Sequence, residues 1–181
     1  MSSSKVLILL DADVVIHFFK AEKISLLSDL YKGRLIMLDI VKSELLNNRT
    51  IQDVVENLFT FKIVQELNFP TSVKEIMLEF KRISSSPKMG KGENACMAVC
   101  RFQQHIIASS NTKDIKPYCE EHKLGYLTTL DILSIAVLKT KLTIAEGQQC
   151  IDAILANGSR LKSNNLEVYL KNEFDRSKLQ Y

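Results

Sequence analysis

Apolar and polar residues along the chain follow two different periodicities. Short continuous apolar runs read as buried strands. Residues 6–10 and 106–109 are the clearest by length and β-branching, and 35–38, 61–64 and 125–127 are weaker examples. Between them, apolar residues recur at helical spacing. Val73, Ile76, Met77 and Phe80 stand at i, i+3, i+4 and i+7, with their entry marked by Pro70 and by Ser72-x-x-Glu75, a capping-box pattern. Ile144, Ile151, Ile154 and Leu155 form a second stripe, opened by Thr143-x-x-Glu146 and closed at Asn157-Gly158, a left-handed stop. Residues 93–102 are almost wholly apolar after their first turn, which predicts a helix covered on several sides. Strands alternating with helices predict an α/β domain with a mainly parallel central sheet flanked by helices. Residues 84–92, Ser-Ser-Ser-Pro-Lys-Met-Gly-Lys-Gly, form the clearest loop.

Composition narrows the class. At 181 residues, with 46% apolar and 25% charged positions, the chain suits one globular domain with a real core and does not suit a disordered segment. The principal domain is expected over residues 1–158. Residues 159–181 are a polar C-terminal extension with a short helical candidate near 172–181, expected to be less ordered, to serve a partner or to pack on the same domain. A net charge of +3 is a mild basic bias, compatible with a polyanionic partner. The N-terminal apolar run is broken by Asp11, too early for a secretory segment, and no stretch is long enough to span a membrane. A cytoplasmic location is therefore expected. Cys96, Cys100, Cys119 and Cys150 contain no Cys-x-x-Cys, and no histidine stands at zinc-like spacing, so reduced core cysteines are expected. His17, His105 and His122 fit satisfied or exposed histidines better than ligands.

The chemistry lies in scattered acids. Asp11 and Asp13 follow directly on the first apolar run. Asp is depleted inside strands, so this pair marks a strand end turning into a helix, where a carboxylate either caps the helix or acts as a ligand. Glu44 sits in the helix-like segment Ile-Val-Lys-Ser-Glu-Leu-Leu and taken alone reads as a solvated residue. Glu93 follows Gly-Lys-Gly and opens the apolar helix, as a dipole partner or a ligand. Asn111 and Asp114 follow the second strong strand, and either could cap a helix over 112–121. In an α/β fold the carboxyl ends of parallel strands gather at one edge, where ligands bind. Carboxylates brought together there repel each other, and a divalent cation would stabilise them. Lys81, Arg82, Lys88 and Lys91 precede Glu93, with Arg101, Lys113 and Lys116 further on. They read either as a solvated face or as phosphate contacts for a nucleic acid.

Four stretches in this order resemble a PIN domain, the metal-dependent ribonuclease fold of VapC-type toxins. They are Leu-Leu-Asp11-Ala-Asp13-Val-Val-Ile, Val-Lys-Ser-Glu44-Leu-Leu, Gly-Lys-Gly-Glu93-Asn-Ala, and Ala-Ser109-Ser-Asn111-Thr-Lys-Asp114-Ile. The resemblance covers residues 5–158, with 125–158 similar to the family's closing strand and two helices. It implies a three-layer Rossmann-like domain in which Asp11, Glu44, Glu93 and Asp114 serve catalysis. Asp11, Glu93, Asn111 and Asp114 would then hold Mg²⁺ or Mn²⁺, with Asp13 and Ser109 in support. Lys88, Lys91 and Arg82 would contact RNA. It also implies a possible antitoxin partner and a possible homodimer. The sequence departs from the pattern at two positions. Asp13 stands where Asn is common, and Asn111 where many members carry a fourth acid.

Two rival readings remain open. Asp11-Ala-Asp13-Val-Val also fits the first motif of a haloacid-dehalogenase-like phosphatase, with Asp11 as nucleophile and Asp13 as acid/base. Residues 107–110 could supply its second motif and Lys113, Lys116 or Lys123 its lysine, but no paired acids follow; Asp131 and Asp152 stand alone. The substitution at Asn111 motivates the other rival, a catalytically degenerate PIN-like binding module.

Overall fold

Five short strands form one parallel sheet at the centre of the computed structural model, which describes residues 6–85 and 90–181. The strands are β1 (Ile8–Leu10), β2 (Leu35–Leu38), β3 (Gln65–Leu67), β4 (Ile106–Ala108) and β5 (Tyr126–Leu127), in the spatial order β3-β2-β1-β4-β5. Ile8 lies opposite Leu35 on one side and Ile106 on the other, while Ile107 lies opposite Tyr126. Every residue of β1, β2 and β4 is buried. Strands with no polar face need apolar cover on both sides, and helices supply it.

The helices are α1 (Ala12–Lys20), α2 (Ser25–Tyr31), α3 (Asp39–Leu46), α4 (Gln52–Thr60), α5 (Lys74–Ser84), α6 (Lys91–Gln103), α7 (Thr112–His122), α8 (Thr129–Leu138), α9 (Ile144–Ala156) and α10 (Leu166–Asn172). A 3₁₀ turn, Arg176–Gln180, ends the chain. The chain steps outward from β1 to β3, then returns to β4 and moves the other way. Right-handed crossovers therefore place α5, α6 and α7 on the face opposite α1. Packing agrees: α6 lies against α5, α7 and the central strands, and α1 lies against α8 and α9. Strand order reverses between β1 and β4. That switch point leaves a crevice outside their carboxyl ends.

Several local expectations change. Residues 61–64 are not a strand. The amides of Phe61 and Ile63 close the end of α4 on Asn57 and Leu58 (3.0 and 2.9 Å), so the ladder starts only at Gln65. The Ser72–Glu75 capping box does not form. Val73 N donates to Pro70 O at 3.1 Å, and this turn holds Ser72 outside a helix that begins at Lys74. The expected 84–92 loop is shortened at both ends, because Ser84 closes α5 while Lys91 and Gly92 open α6. By contrast, Thr143 and Glu146 do form a reciprocal capping box, and Gly158 takes φ +77° beyond α9. The four cysteines are free and buried. Among the described residues, no helix is long and apolar enough to cross a membrane.

The C-terminal extension is packed on the domain, not loose. Leu166 and Tyr169 are buried, and α10 lies against α8 and α9. A side chain on Gly147 would meet Leu166 Cδ2, so α9 is shaped to receive α10. Burying a Leu-sized side chain contributes about 1.5–3 kcal/mol, enough to order so short a segment when several such contacts add. Lys178 Nζ reaches Asp131 Oδ2 at 2.7 Å and stands 3.8 Å above the Tyr126 ring. Arg34 binds the backbone carbonyl of Tyr181.

Candidate functional site

Asp11 is set by the sheet itself. Its backbone N donates to Ala108 O at 2.9 Å, which fixes it at the carboxyl ends of β1 and β4. It also holds the cap position of α1, where Oδ1 accepts from Ala12 N at 2.8 Å. Asp13, in the first turn of α1, does not cap. Its Oδ2 accepts from Ser110 N at 2.7 Å and from Ser109 Oγ at 3.3 Å, bracing α1 against the end of β4.

Glu44 arrives from α3. Its Oε1 accepts from Gly92 N at 2.9 Å, at the amino end of α6. A Cβ on residue 92 would lie 2.6 Å from Glu44 Oε2 and 3.0 Å from Val41 Cγ2, so glycine is what lets the carboxylate approach. Free amides at a helix start favour an anion there. Glu93 follows on the same turn and is buried. Its Oε2 accepts from Asn111 Nδ2 at 3.1 Å.

Asn111 occupies the cap position of α7, but its side chain makes no capping bond. Its Nδ2 donates instead to Glu93 Oε2 and to Asp114 Oδ2, the latter at 2.8 Å. Asp11, Asp13, Glu44, Glu93, Asn111 and Ile16 line one open cleft of about 300 Å³. Asp114 is not among the lining residues and joins them through Asn111. Ser109 is fully buried and binds both Asp13 and the Asn111 amide.

Burial, with Asp13 and then Glu44 adding repulsion, pushes the Asp11 carboxyl up to about 7. Burial, with Asp11 the largest neighbouring charge, raises Glu93 to about 8. Burial also raises Asp13, against the lowering effect of the Ser110 amide. Such a cluster favours a bound proton or a bound cation.

Among the described residues, no group of three or more His, Cys, Asp or Glu side chains is arranged as a metal site. Asp11, Asp13, Glu44 and Glu93 are each turned toward a protein donor. The donor chemistry nonetheless suits a hard divalent cation, which prefers carboxylate and amide oxygens. Asp13 Oδ1 and Glu93 Oε1 are buried without a hydrogen-bond partner. Buried carboxylate oxygens left unpaired are rare and costly, and a cation is one way to satisfy them.

The basic residues separate. Arg82 is committed to buried Glu79, with Nε and Nη2 at 2.9 and 2.7 Å, and Arg101 reaches the same carboxylate at 2.7 Å. Lys91 is exposed and lines a neighbouring hollow with Glu44, Asp39 and Ser43. Lys88 lies outside the described residues.

Sequence reasoning did not single out Thr129, took His17 as a satisfied or exposed histidine, and met Ser110 in the second motif of the phosphatase alternative. Ser110 Oγ accepts from Thr129 N at 3.0 Å and pairs with Thr129 Oγ1 at 2.7 Å; His17 Nδ1 lies 2.9 Å from the same Thr129 hydroxyl. Burial lowers the His17 imidazole to about 4, so it serves as a neutral partner. The signal that points here is Thr128-x-x-Asp131 directly after the weak strand at 125–127, a second capping box. Neither a protein family nor a curated protein matches the chain.

Proposed function

We propose that the chain is a divalent-metal-dependent ribonuclease of PIN type, hydrolysing phosphodiester bonds in the acidic cleft. One observation carries this reading: Asp11, Glu44 and Glu93 come from three remote segments and line one cleft at the strand-order switch. Asp11 and Glu93 are the principal candidates to hold Mg²⁺ or Mn²⁺, with Asn111 and Asp114 beside them. Asp13 contributes an oxygen that the protein leaves unpaired. A bound cation would supply Lewis acidity, lowering the pKa of its water and offsetting charge on the phosphate. The protein's own part is placement. Gly92 holds Glu44, Ser109 and Ser110 hold Asp13, and Asn111 holds Glu93 against Asp114. Lys91, exposed beside Glu44, would meet the phosphate backbone. A cytoplasmic toxin opposed by an antitoxin belongs to this reading through the resemblance alone.

The test is cleavage of a mixed RNA substrate with Mn²⁺, with chelator, and with Asp11→Ala. Cleavage should need the metal and fall by about two orders of magnitude or more in the variant. Cleavage that persists in chelator or in Asp11→Ala removes the assignment.

A second reading has one observation in its favour. Asn111 donates to both Glu93 and Asp114, so a neutral amide already satisfies part of the charge that a cation would otherwise meet. That arrangement suits an inert binding module. Calorimetric titration with millimolar Mn²⁺ decides: heat of binding favours the nuclease, and its absence favours the module. The phosphatase alternative needs a lysine beside Asp11, and the described cleft-lining residues include none.

A further inference from the structure

We propose that Lys178, in the terminal 3₁₀ turn, is a positioning residue for the acidic cleft. It acts through Asp131, Thr128, Thr129 and Ser110 on Asp13. This rests on the reading of the cleft as the functional site.

Asp131 is fully buried on the first turn of α8. Its Oδ2 accepts from Lys178 Nζ at 2.7 Å, Thr128 N at 2.8 Å and Thr128 Oγ1 at 2.9 Å. Its Oδ1 accepts from the Tyr169 hydroxyl at 2.9 Å. The tail therefore supplies two of the donors on a carboxylate that has no access to water. A buried carboxylate that loses its cation is strongly destabilised, so the amino end of α8 is held where Lys178 holds Asp131.

The next residue, Thr129, carries that placement toward the cleft. Its amide and hydroxyl both engage Ser110 Oγ, at 3.0 and 2.7 Å. Ser110 N in turn donates to Asp13 Oδ2 at 2.7 Å. Thr128, Thr129 and Asp131 are all buried, so the links in this stretch are made within the protein. The relay ends on a side chain whose other oxygen is buried and unpaired in the candidate site. The C-terminal segment thus serves as part of the site's scaffold, reaching it from the far side of α8.

The experiment is amide hydrogen exchange by NMR on the full chain, together with Mn²⁺ titration. Lys178→Met removes the cation. Tyr169→Phe removes one donor while filling the same space, and it decides the matter if the first variant does not fold. Once the change in global stability measured by denaturant unfolding is subtracted, exchange of the Ser110 amide should accelerate about tenfold in Lys178→Met and about threefold in Tyr169→Phe beyond that of Leu9 and Cys96. Mn²⁺ affinity should weaken in step. Unchanged Ser110 exchange in the folded variants overturns the proposal, as does acceleration spread evenly over β1 and α6. If the wild-type protein binds no Mn²⁺, the metal reading of the cleft fails, and the Ser110 exchange still decides the role of the tail.

Discussion

The Glu44 carboxylate accepts a hydrogen bond from the backbone nitrogen of Gly92 at 2.9 Å across 48 positions of sequence. This contact ties α3 to the start of α6 and brings Glu44 beside Glu93. Glycine makes it possible, since a Cβ would stand 2.6 Å from Glu44 Oε2. Gly92→Ala should therefore displace Glu44. The expected result is a loss of about 1–3 kcal/mol in stability and weaker Mn²⁺ binding. Thermal unfolding and metal titration check both. Equal metal affinity in Gly92→Ala would show that Glu44 does not contribute to the site.

The raised carboxyls of Asp11 and Glu93 give metal-free protein an unusual pH profile. A carboxyl whose folded pKa lies above its unfolded value binds more protons in the folded state. Its contribution is fully present below the unfolded pKa and is lost as pH rises through the folded one. With Asp11 rising from 3.8 to about 7 and Glu93 from 4.5 to about 8, stability in chelator should fall between pH 4 and pH 8. Saturating Mn²⁺ should offset the fall. Melting temperatures in chelator and in Mn²⁺ test this, and a flat chelator profile would contradict it.

Glu93→Gln isolates the same repulsion. The neutral amide keeps the shape and removes one of the charges facing Asp11. The variant should be at least as stable as wild type near pH 8 and should lose metal-dependent cleavage. Denaturant unfolding beside an RNA cleavage assay measures the two effects separately. Marked destabilisation at pH 8 would mean that the Glu93 charge stabilises the fold.

Glu79 shows the opposite linkage. Bonding to Arg82 first, then to Tyr118 and Arg101, lowers its carboxyl from 4.5 to about 2. Its contribution is present above the unfolded pKa and is lost as pH falls through the folded one, so the window is pH 4.5 down to 2. Glu79→Gln should cost about 1–3 kcal/mol at pH 7. The gap to wild type should close near pH 2. Metal-dependent cleavage should survive, because Glu79 is not among the residues that line the acidic cleft.

Truncation after Gly158 tests the domain boundary. It would strip Lys178 and Tyr169 from Asp131 and uncover the α9 surface that receives Leu166. Leaving a buried charge without its partner costs about 3–5 kcal/mol. The shortened chain should lack a cooperative melt by circular dichroism. A sharp transition at the wild-type temperature would show that the tail is dispensable.

Much of this architecture was legible from local pattern. Continuous apolar runs marked β1 and β4, and the acids that follow them marked the edge where a cleft would lie. Thr143 and Glu146 announced the start of α9 because both halves of a capping box are local in sequence. Ser72 and Glu75 carried the same letters without the outcome, since the turn at Pro70 sets where α5 begins. Arg82 read as part of a solvated face or as a phosphate contact, because local pattern does not reveal that Glu79, one helical turn away, is buried and binds it. The role of Asn111 was hidden for a different reason. Its bond to Glu93 depends on α6 and α7 meeting, and its local bond to Asp114 does not by itself set the arrangement apart from capping.

The two rims of the sheet bear on how copies of the chain could meet. β5 contributes only two residues, and the terminal turn closes over it through Lys178 and Tyr126. β3 presents Gln65 and Glu66 to solvent, with Glu66 paired to Lys42. Short, charged or covered rims discourage strand-to-strand addition between molecules. Contact between copies through the sheet rims is therefore disfavoured, and so is growth into continuous intermolecular sheets.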